Sequence, residues 1–144
     1  MFKKFNQTEF NRNMNLIVDA QDTQKGQLWL GDYYAALDVD ALVRRGINTV
    51  LTVAQGLKLY YDPQKKIRHR QWNMQDCETY NIQRHFNDVI SEIENGLQKG
   101  NVLVHCAAGI SRSATCVIAY LMQKNSWNYS TAFSFKYGQV KKLY

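Results

Sequence analysis

The chain has 144 residues, of which 45% are hydrophobic, and it carries a formal net charge of +6 at pH 7. These values fit one globular domain with a single core. No apolar run approaches the roughly 20 residues that span a bilayer, and the basic start MFKKF is followed by no apolar segment of the secretory kind, so we expect an intracellular, cytoplasmic or nuclear protein without membrane insertion.

The beginning of the chain is predicted to be an extension that precedes the folded domain. Residues 1–25 form this extension, and residues 26–144 form the domain. A possible helix in the extension is indicated by three phenylalanines at helical spacing, Phe2, Phe5 and Phe10.

Strands and helices are predicted to alternate in the first half of the domain. A short strand covers residues 28–30, and Asp38 can cap a helix that ends at Gly46. The segment 47–53 is rich in β-branched residues, which is typical of a buried strand. Residues 67–73 are a further candidate strand.

The second half continues the alternation. An amphipathic helix that ends before Gly100 is predicted from apolar residues at helical spacing, Ile82, Phe86, Val89, Ile90, Ile93 and Leu97. A strand follows at 101–105, then a helix at 112–124 that is apolar almost all round, as a core helix would be. Asn128 can cap a last helix through Tyr137. We therefore predict an α/β fold, with a mostly parallel sheet of about four to five strands flanked by helices.

The most informative segment joins the strand at 101–105 to the buried helix. Residues 105–113 read HCAAGISRS, so a cysteine begins a short loop and an arginine ends it. A helix N-terminus attracts anions, Gly109 lets the loop curl around an oxyanion, and Arg112 can pair with two phosphate oxygens. The same positive field favours ionisation of Cys106. The loop can therefore bind a phosphate and attack it, and a buried structural cysteine is the alternative.

This segment resembles the His-Cys-x5-Arg-Ser signature of cysteine-dependent protein tyrosine phosphatases, in the form typical of small, atypical, single-domain dual specificity phosphatases. The resemblance covers about residues 26–137 and includes the strand, helix and loop segments at 27–32, 41–51 and 76–82. The resemblance implies that residues 26–144 form the catalytic domain of a dual specificity phosphatase. Family members usually continue past residues 140–142 with a further helix, which we expect this sequence to lack.

The resemblance implies a role for each site residue. Cys106 would form a phosphocysteine intermediate, and Asp76 would protonate the leaving group and then activate the hydrolytic water. Ser113 would assist departure of the thiolate in the second step, and His105 would order the loop from behind. The phosphoryl oxygens would be bound by the Arg112 side chain and by the backbone of Ala107, Ala108, Gly109, Ile110, Ser111 and Arg112.

The residues alone leave the general acid open. Asp62 precedes a proline and has the character of a turn residue. Asp88 lies on the amphipathic helix, and Asp76 and Glu78 both precede that helix. The resemblance favours Asp76 through the spacing Asp-x4-Asn-Ile, and a helix-capping or loop acid is the alternative for this residue.

The cysteines and the basic residues each allow two interpretations. The three cysteines form no Cys-x-x-Cys pair, and no residues have metal-ligand spacing, so we expect a reducing compartment, no metal and no cofactor. Cys77 or Cys116 can form a reversible disulfide with Cys106 on oxidation, although core packing is the default for Cys116. The basic run KKIRHR at 65–70 is either a solvated face or a rim that attracts anionic substrate.

We expect a metal-independent phosphatase that hydrolyses phosphotyrosine and phosphoserine or phosphothreonine in proteins. The alternatives are a phosphatase of RNA 5′-phosphates or phosphoinositides, and a phosphate-binding scaffold without turnover. Ala107, Ala108 and Ile110 place no cation within the loop, whereas lipid-directed relatives often carry lysines there. The expected partner is therefore a phosphorylated protein, no nucleic acid is expected, and the oligomeric state is left open.

Overall fold

The computed structural model describes residues 14–21, 24–77, 79–107 and 111–141. The strands in this part of the chain are β1 Met14–Val18, β2 Leu28–Gly31, β3 Ile47–Val53, β4 Arg68–Trp72 and β5 Asn101–His105. They form one five-stranded sheet in the order β1-β2-β5-β3-β4. All neighbouring strands pair parallel except β1, which is antiparallel to β2. The predicted α/β fold with a mostly parallel sheet is confirmed.

Helices cover both faces of the sheet. They are α1 Tyr33–Leu37, α2 Val39–Arg44, α3 Phe86–Lys99, α4 Ser111–Asn125 and α5 Tyr129–Lys141, with 3₁₀ helices at Pro63–Lys65 and Ile82–His85. Successive residues of a strand point to opposite faces, so Leu103 packs in the cluster that contains Ala36 and Leu42 of α1 and α2. Val102 and Val104 pack in the other cluster with the side chains of α3, α4 and α5.

Several predicted boundaries are reproduced closely. The strands predicted at 47–53 and 101–105 have these bounds in the structure. The caps were also predicted correctly, because Asp38 Oδ1 accepts a hydrogen bond of 3.1 Å from Ala41 N and Asn128 Oδ1 accepts one of 2.9 Å from Thr131 N. The amphipathic helix begins as a 3₁₀ turn and becomes α-helical at Phe86.

The N-terminal part of the chain differs from the prediction. Residues 14–18 form β1 and belong to the sheet, although we expected an extension there with a possible helix. Met14, Asn15 and Ile17 are buried, so antiparallel pairing with β2 removes apolar surface from water and satisfies the backbone at the same time. The phenylalanines Phe2, Phe5 and Phe10 lie outside the described residues, and the helix over them stays a prediction.

The two arginines of the basic run are partly exposed to solvent and pair with carboxylates of α3. Glu92, on the buried face of α3, accepts hydrogen bonds from Arg68 Nη1 and from Arg70 Nη1. Arg70 also pairs with Asp88 at 2.5 Å and lies 4.7 Å from the ring centroid of Trp72. These arginines therefore attach the edge strand β4 to α3, and a rim that attracts anionic substrate stays a prediction.

No helix in the described ranges is long and apolar enough to cross a bilayer.

Candidate active site

The candidate site lies where the carboxyl ends of the central strands meet. β5 ends at His105, Cys106 follows directly, and α4 begins at Ser111. Open parallel sheets bind ligands at this edge because the loops that leave the strands converge there. Residues 108–110 lie outside the described residues, so the phosphate-binding role of Ala108, Gly109 and Ile110 stays a prediction.

The cysteine and the serine of the signature segment are brought together. Cys106 Sγ lies 3.2 Å from Ser113 Oγ, and both residues are fully buried. Ser113 stands in the first turn of α4, where unpaired N–H groups and the helix dipole give a positive potential. A negative charge on the sulfur would therefore be stabilised by the helix and by a hydrogen bond from the serine hydroxyl.

The guanidinium group of Arg112 is buried, and some of its N–H groups are still available for hydrogen bonds. Its exposed fraction is 6%, and its Nη1 donates to the Met74 carbonyl at 2.9 Å. Within the described residues Nε has no hydrogen-bond partner. A buried charge is costly without a counter-charge, so this side chain is suited to bind an anion.

Asp76 lies at the entrance of the site. Its Oδ2 is 4.0 Å from Arg112 Nη2, and its Oδ1 accepts a hydrogen bond of 3.5 Å from Ser111 Oγ. The other candidates are engaged elsewhere, because Asp62 caps a 3₁₀ helix and Asp88 binds Arg70 and Trp72. The structure thus brings Asp76 to the signature segment, and Glu78 lies outside the described residues.

His105 joins the start of the loop to the neighbouring strand β3. It is fully buried, and its Nδ1 lies 3.0 Å from the Cys106 carbonyl oxygen while its Nε2 lies 2.7 Å from Thr52 Oγ1. Burial lowers the pKa of His105 to about 4, against the opposing effect of the bond to Cys106. The imidazole is therefore neutral near pH 7, which suits a structural role better than proton transfer.

This arrangement agrees with the comparisons with known proteins. The sequence matches the family described as dual specificity phosphatase, catalytic domain, over residues 28–142. The chain belongs to this family.

Relatives of the dual specificity phosphatase family show how much of the chain is shared. It is 36% identical over 130 residues to MAP kinase phosphatase with leucine-rich repeats protein 1 of Dictyostelium discoideum, which covers 90% of this chain and 14% of that protein. It is 36% identical over 98 residues to human dual specificity protein phosphatase 9, which covers 67% of this chain and 26% of that protein. The chain therefore spans about a seventh to a quarter of the length of these relatives.

A solved structure shows the same fold. The human tyrosine phosphatase-like serine/threonine/tyrosine-interacting protein superposes with a TM-score of 0.76 at 31% identity, with 89% of this chain and 84% of that chain covered.

Three contributors to the site were missed by sequence reasoning. The Met74 carbonyl binds Arg112, the Tyr33 N–H donates to the Ala107 carbonyl at 3.1 Å, and Thr52 bonds to His105. The two backbone contributors could not be predicted, because the pattern of side chains in a sequence does not show where backbone groups lie. Thr52 did leave a signal, because it is a polar residue within a buried strand, and buried hydroxyls are normally hydrogen-bonded.

The cysteines other than Cys106 have different environments. Burial, together with the nearby Cys106, raises the pKa of the Cys116 thiol to about 12, which fits core packing. Cys77 is exposed, and a hydrogen bond with the Thr79 hydroxyl lowers the pKa of its thiol. Oxidative pairing of either cysteine with Cys106 stays a prediction.

Proposed function

We propose that this chain is a metal-independent, cysteine-dependent phosphatase that hydrolyses phosphotyrosine and phosphoserine or phosphothreonine in proteins. The observation that carries the proposal is the convergence of a thiol, a hydroxyl, a guanidinium and a carboxyl group at the N-terminus of α4. These groups belong to Cys106, Ser113, Arg112 and Asp76.

In the first step the Cys106 thiolate attacks the phosphorus, and the bond from phosphorus to the ester oxygen breaks. Arg112 and the loop N–H groups hold the equatorial oxygens, which carry the transition-state charge. The leaving oxygen takes a proton from Asp76, which is why this acid must be protonated when substrate binds. The products of the step are a phosphocysteine and the free alcohol or phenol.

In the second step water replaces the sulfur. Asp76, now a carboxylate, removes a proton from the water while the water oxygen bonds to phosphorus and the sulfur–phosphorus bond breaks. The Ser113 hydroxyl, 3.2 Å from the sulfur, donates a hydrogen bond to the departing thiolate. Inorganic phosphate leaves and the enzyme returns to its starting state.

Phosphoproteins are the proposed substrates. The described part of the loop has Ala107 in it and no lysine, and relatives in the comparisons are named as dual specificity protein phosphatases and MAP kinase phosphatases. We place the protein in a reducing, cytoplasmic compartment, because a thiolate nucleophile must stay reduced.

The activity is tested by hydrolysis of an aryl phosphate in the presence of a metal chelator, with the wild type and the Cys106→Ser variant. We expect turnover by the wild type and loss of turnover in the variant. Acid quenching with labelled substrate should leave phosphate on the wild-type protein at Cys106. A wild type that binds phosphate without turnover would favour the scaffold alternative and refute the proposal.

The substrate class needs a second experiment. A panel of phosphotyrosine and phosphothreonine peptides, phosphoinositides and RNA 5′-phosphates, compared through kcat/KM, ranks the three classes directly. We expect the peptides to be preferred. A preference for lipid or RNA ends would retain the chemistry and overturn the proposed substrate.

A further inference from the structure

Three polar side chains form a hydrogen-bonded line across neighbouring strands below the candidate site. His69 Nε2 on β4 lies 2.7 Å from Thr52 Oγ1 on β3, and the same oxygen lies 2.7 Å from His105 Nε2 on β5. We call these three residues the cross-strand network. Thr52 is opposite His105 in the register of β3 and β5, and His69 is its diagonal neighbour on β4.

The proton positions in the cross-strand network follow from its partners. A carbonyl oxygen can only accept, so His105 Nδ1 must carry the hydrogen that binds the Cys106 carbonyl. His105 is neutral, so its Nε2 is bare and accepts the hydroxyl hydrogen of Thr52. That hydroxyl has a single hydrogen, so His69 must be the donor to Thr52 through its Nε2–H.

Every hydrogen in the cross-strand network consequently points toward the cysteine. The positive ends of the three bond dipoles are aligned toward Cys106, and hydrogen bonds in series strengthen one another. If His69 had the other tautomer, two lone pairs would face each other at Thr52 or at His105. The tautomer of His69 is therefore linked to that of His105 through the Thr52 hydroxyl.

His69 is held in place for this task by its other neighbours. The ring of Tyr61 meets it edge-on, with centroids 5.7 Å apart, and the Tyr61 hydroxyl donates to the Ala36 carbonyl at 2.6 Å. Burial of the His69 ring lowers its pKa, so it is neutral near pH 7. Its location on the opposite side of β3 from His105 separates it from the reacting atoms.

We propose that His69 is a positioning residue, which acts through Thr52 to hold His105 in the tautomer that supports Cys106 and its loop. The role of His69 adds to the proposed function, and only the measurement of kcat depends on the proposed function. The proton positions and the reactivity of the thiol can be measured whether or not the protein turns over a substrate.

The first test is the ¹⁵N spectrum of the histidines near neutral pH, which distinguishes a protonated from a bare ring nitrogen. The chain has three histidines, and single substitutions assign their signals. We expect the Nδ1–H form for His105 and the Nε2–H form for His69. The Nε2–H form for His105, or the Nδ1–H form for His69, would overturn the proposal.

The second test is a double-mutant cycle with His69→Leu and Thr52→Val. The readouts are kcat and the rate of Cys106 alkylation by iodoacetamide as a function of pH, followed by peptide mass spectrometry. We expect His69→Leu to lower both by about two- to five-fold, the scale of one neutral hydrogen bond, and to move the alkylation profile to higher pH. In the Thr52→Val background the same change should have no further effect.

Two variants distinguish hydrogen bonding of His69 to Thr52 from simple packing of the His69 ring. His69→Gln keeps an N–H donor within reach of Thr52 and should restore most of the alkylation rate. Tyr61→Phe keeps the ring that contacts His69 and should leave the alkylation profile unchanged. Equal effects of His69→Leu in both backgrounds, or no rescue by His69→Gln, would show that His69 acts only as a packed side chain.

Discussion

Glu92 is the carboxylate that joins the edge of the sheet to α3. Its side chain is 11% exposed, and it accepts hydrogen bonds from two arginines of β4, Arg68 and Arg70. Replacing it with glutamine keeps the size and one acceptor oxygen. The other oxygen becomes an NH₂ group that faces a guanidinium, so one charge-assisted hydrogen bond is lost and the charge that balanced the arginines is removed.

The expected change in the free energy of unfolding follows from the loss of this hydrogen bond in Glu92→Gln. A hydrogen bond to a charged group contributes about 1.5–3 kcal/mol. The arginine side chains are 52% and 38% exposed, and solvent weakens such pairs, so we expect Glu92→Gln to lower the free energy of unfolding by about 1.5 kcal/mol, the lower end. Glu94 is an exposed residue on the same helix, and Glu94→Gln is the matched control, with an expected change within about 0.5 kcal/mol.

The pH dependence gives the sharper test. The hydrogen bond with Arg68, and then that with Arg70, hold the pKa of Glu92 below its usual value of 4.5. The stabilisation is therefore complete above pH 4.5 and is lost as the pH falls through the lower pKa of the folded protein. The free energy of unfolding is measured with urea for the wild type and for both variants. At pH 7 it should be lower for Glu92→Gln than for the wild type, and this difference should disappear in acid. A difference that does not depend on pH, or one no larger than that of Glu94→Gln, would refute this account.

Three further outcomes are expected at other positions. Asp76→Asn should lower kcat on a phosphoserine peptide by about 10²-fold or more and affect an activated aryl phosphate less, because general acid catalysis contributes most with a poor leaving group; equal losses would argue against its role. Ser113→Ala should slow the second step, so rapid-quench experiments should show accumulated phosphoenzyme, and its absence would contradict the role of the hydroxyl. In Gly26→Ala the new Cβ would lie 1.7 Å from the Gly100 carbonyl oxygen, so thermal unfolding should show a loss of about 3 kcal/mol, the upper end of overpacking costs; an unchanged melting temperature would exclude this clash.

Local patterns were enough to predict the central part of the fold. β3 is a run of β-branched and apolar residues, and α3 has a regular apolar face, so each signal agrees with its burial in the structure. β1 was not predicted because Asn15 interrupts its apolar pattern and its stability depends on antiparallel pairing with β2. α1 was missed because it has five residues and is defined mainly by the Asp32 cap.

The candidate site also contains residues that could be predicted from the sequence and residues that could not. Cys106 and Arg112 could be proposed from the chemistry of one contiguous loop. Asp76 could be selected only through the family resemblance, because its distance to Arg112 depends on how two separate loops fold. The contribution of His69 could not be predicted, because it requires the register of three strands to be known.

The double use of the Met74 carbonyl limits how the acid loop can move. This oxygen accepts hydrogen bonds from Arg112 Nη1 and from the Gln55 N–H, at 2.9 and 3.0 Å, and Met74 is fully buried. The segment that carries Asp76 is thus anchored two residues before the carboxyl group. Any movement of Asp76 relative to the sheet must therefore begin after Met74, and the Arg112 side chain helps to fix that point of the backbone.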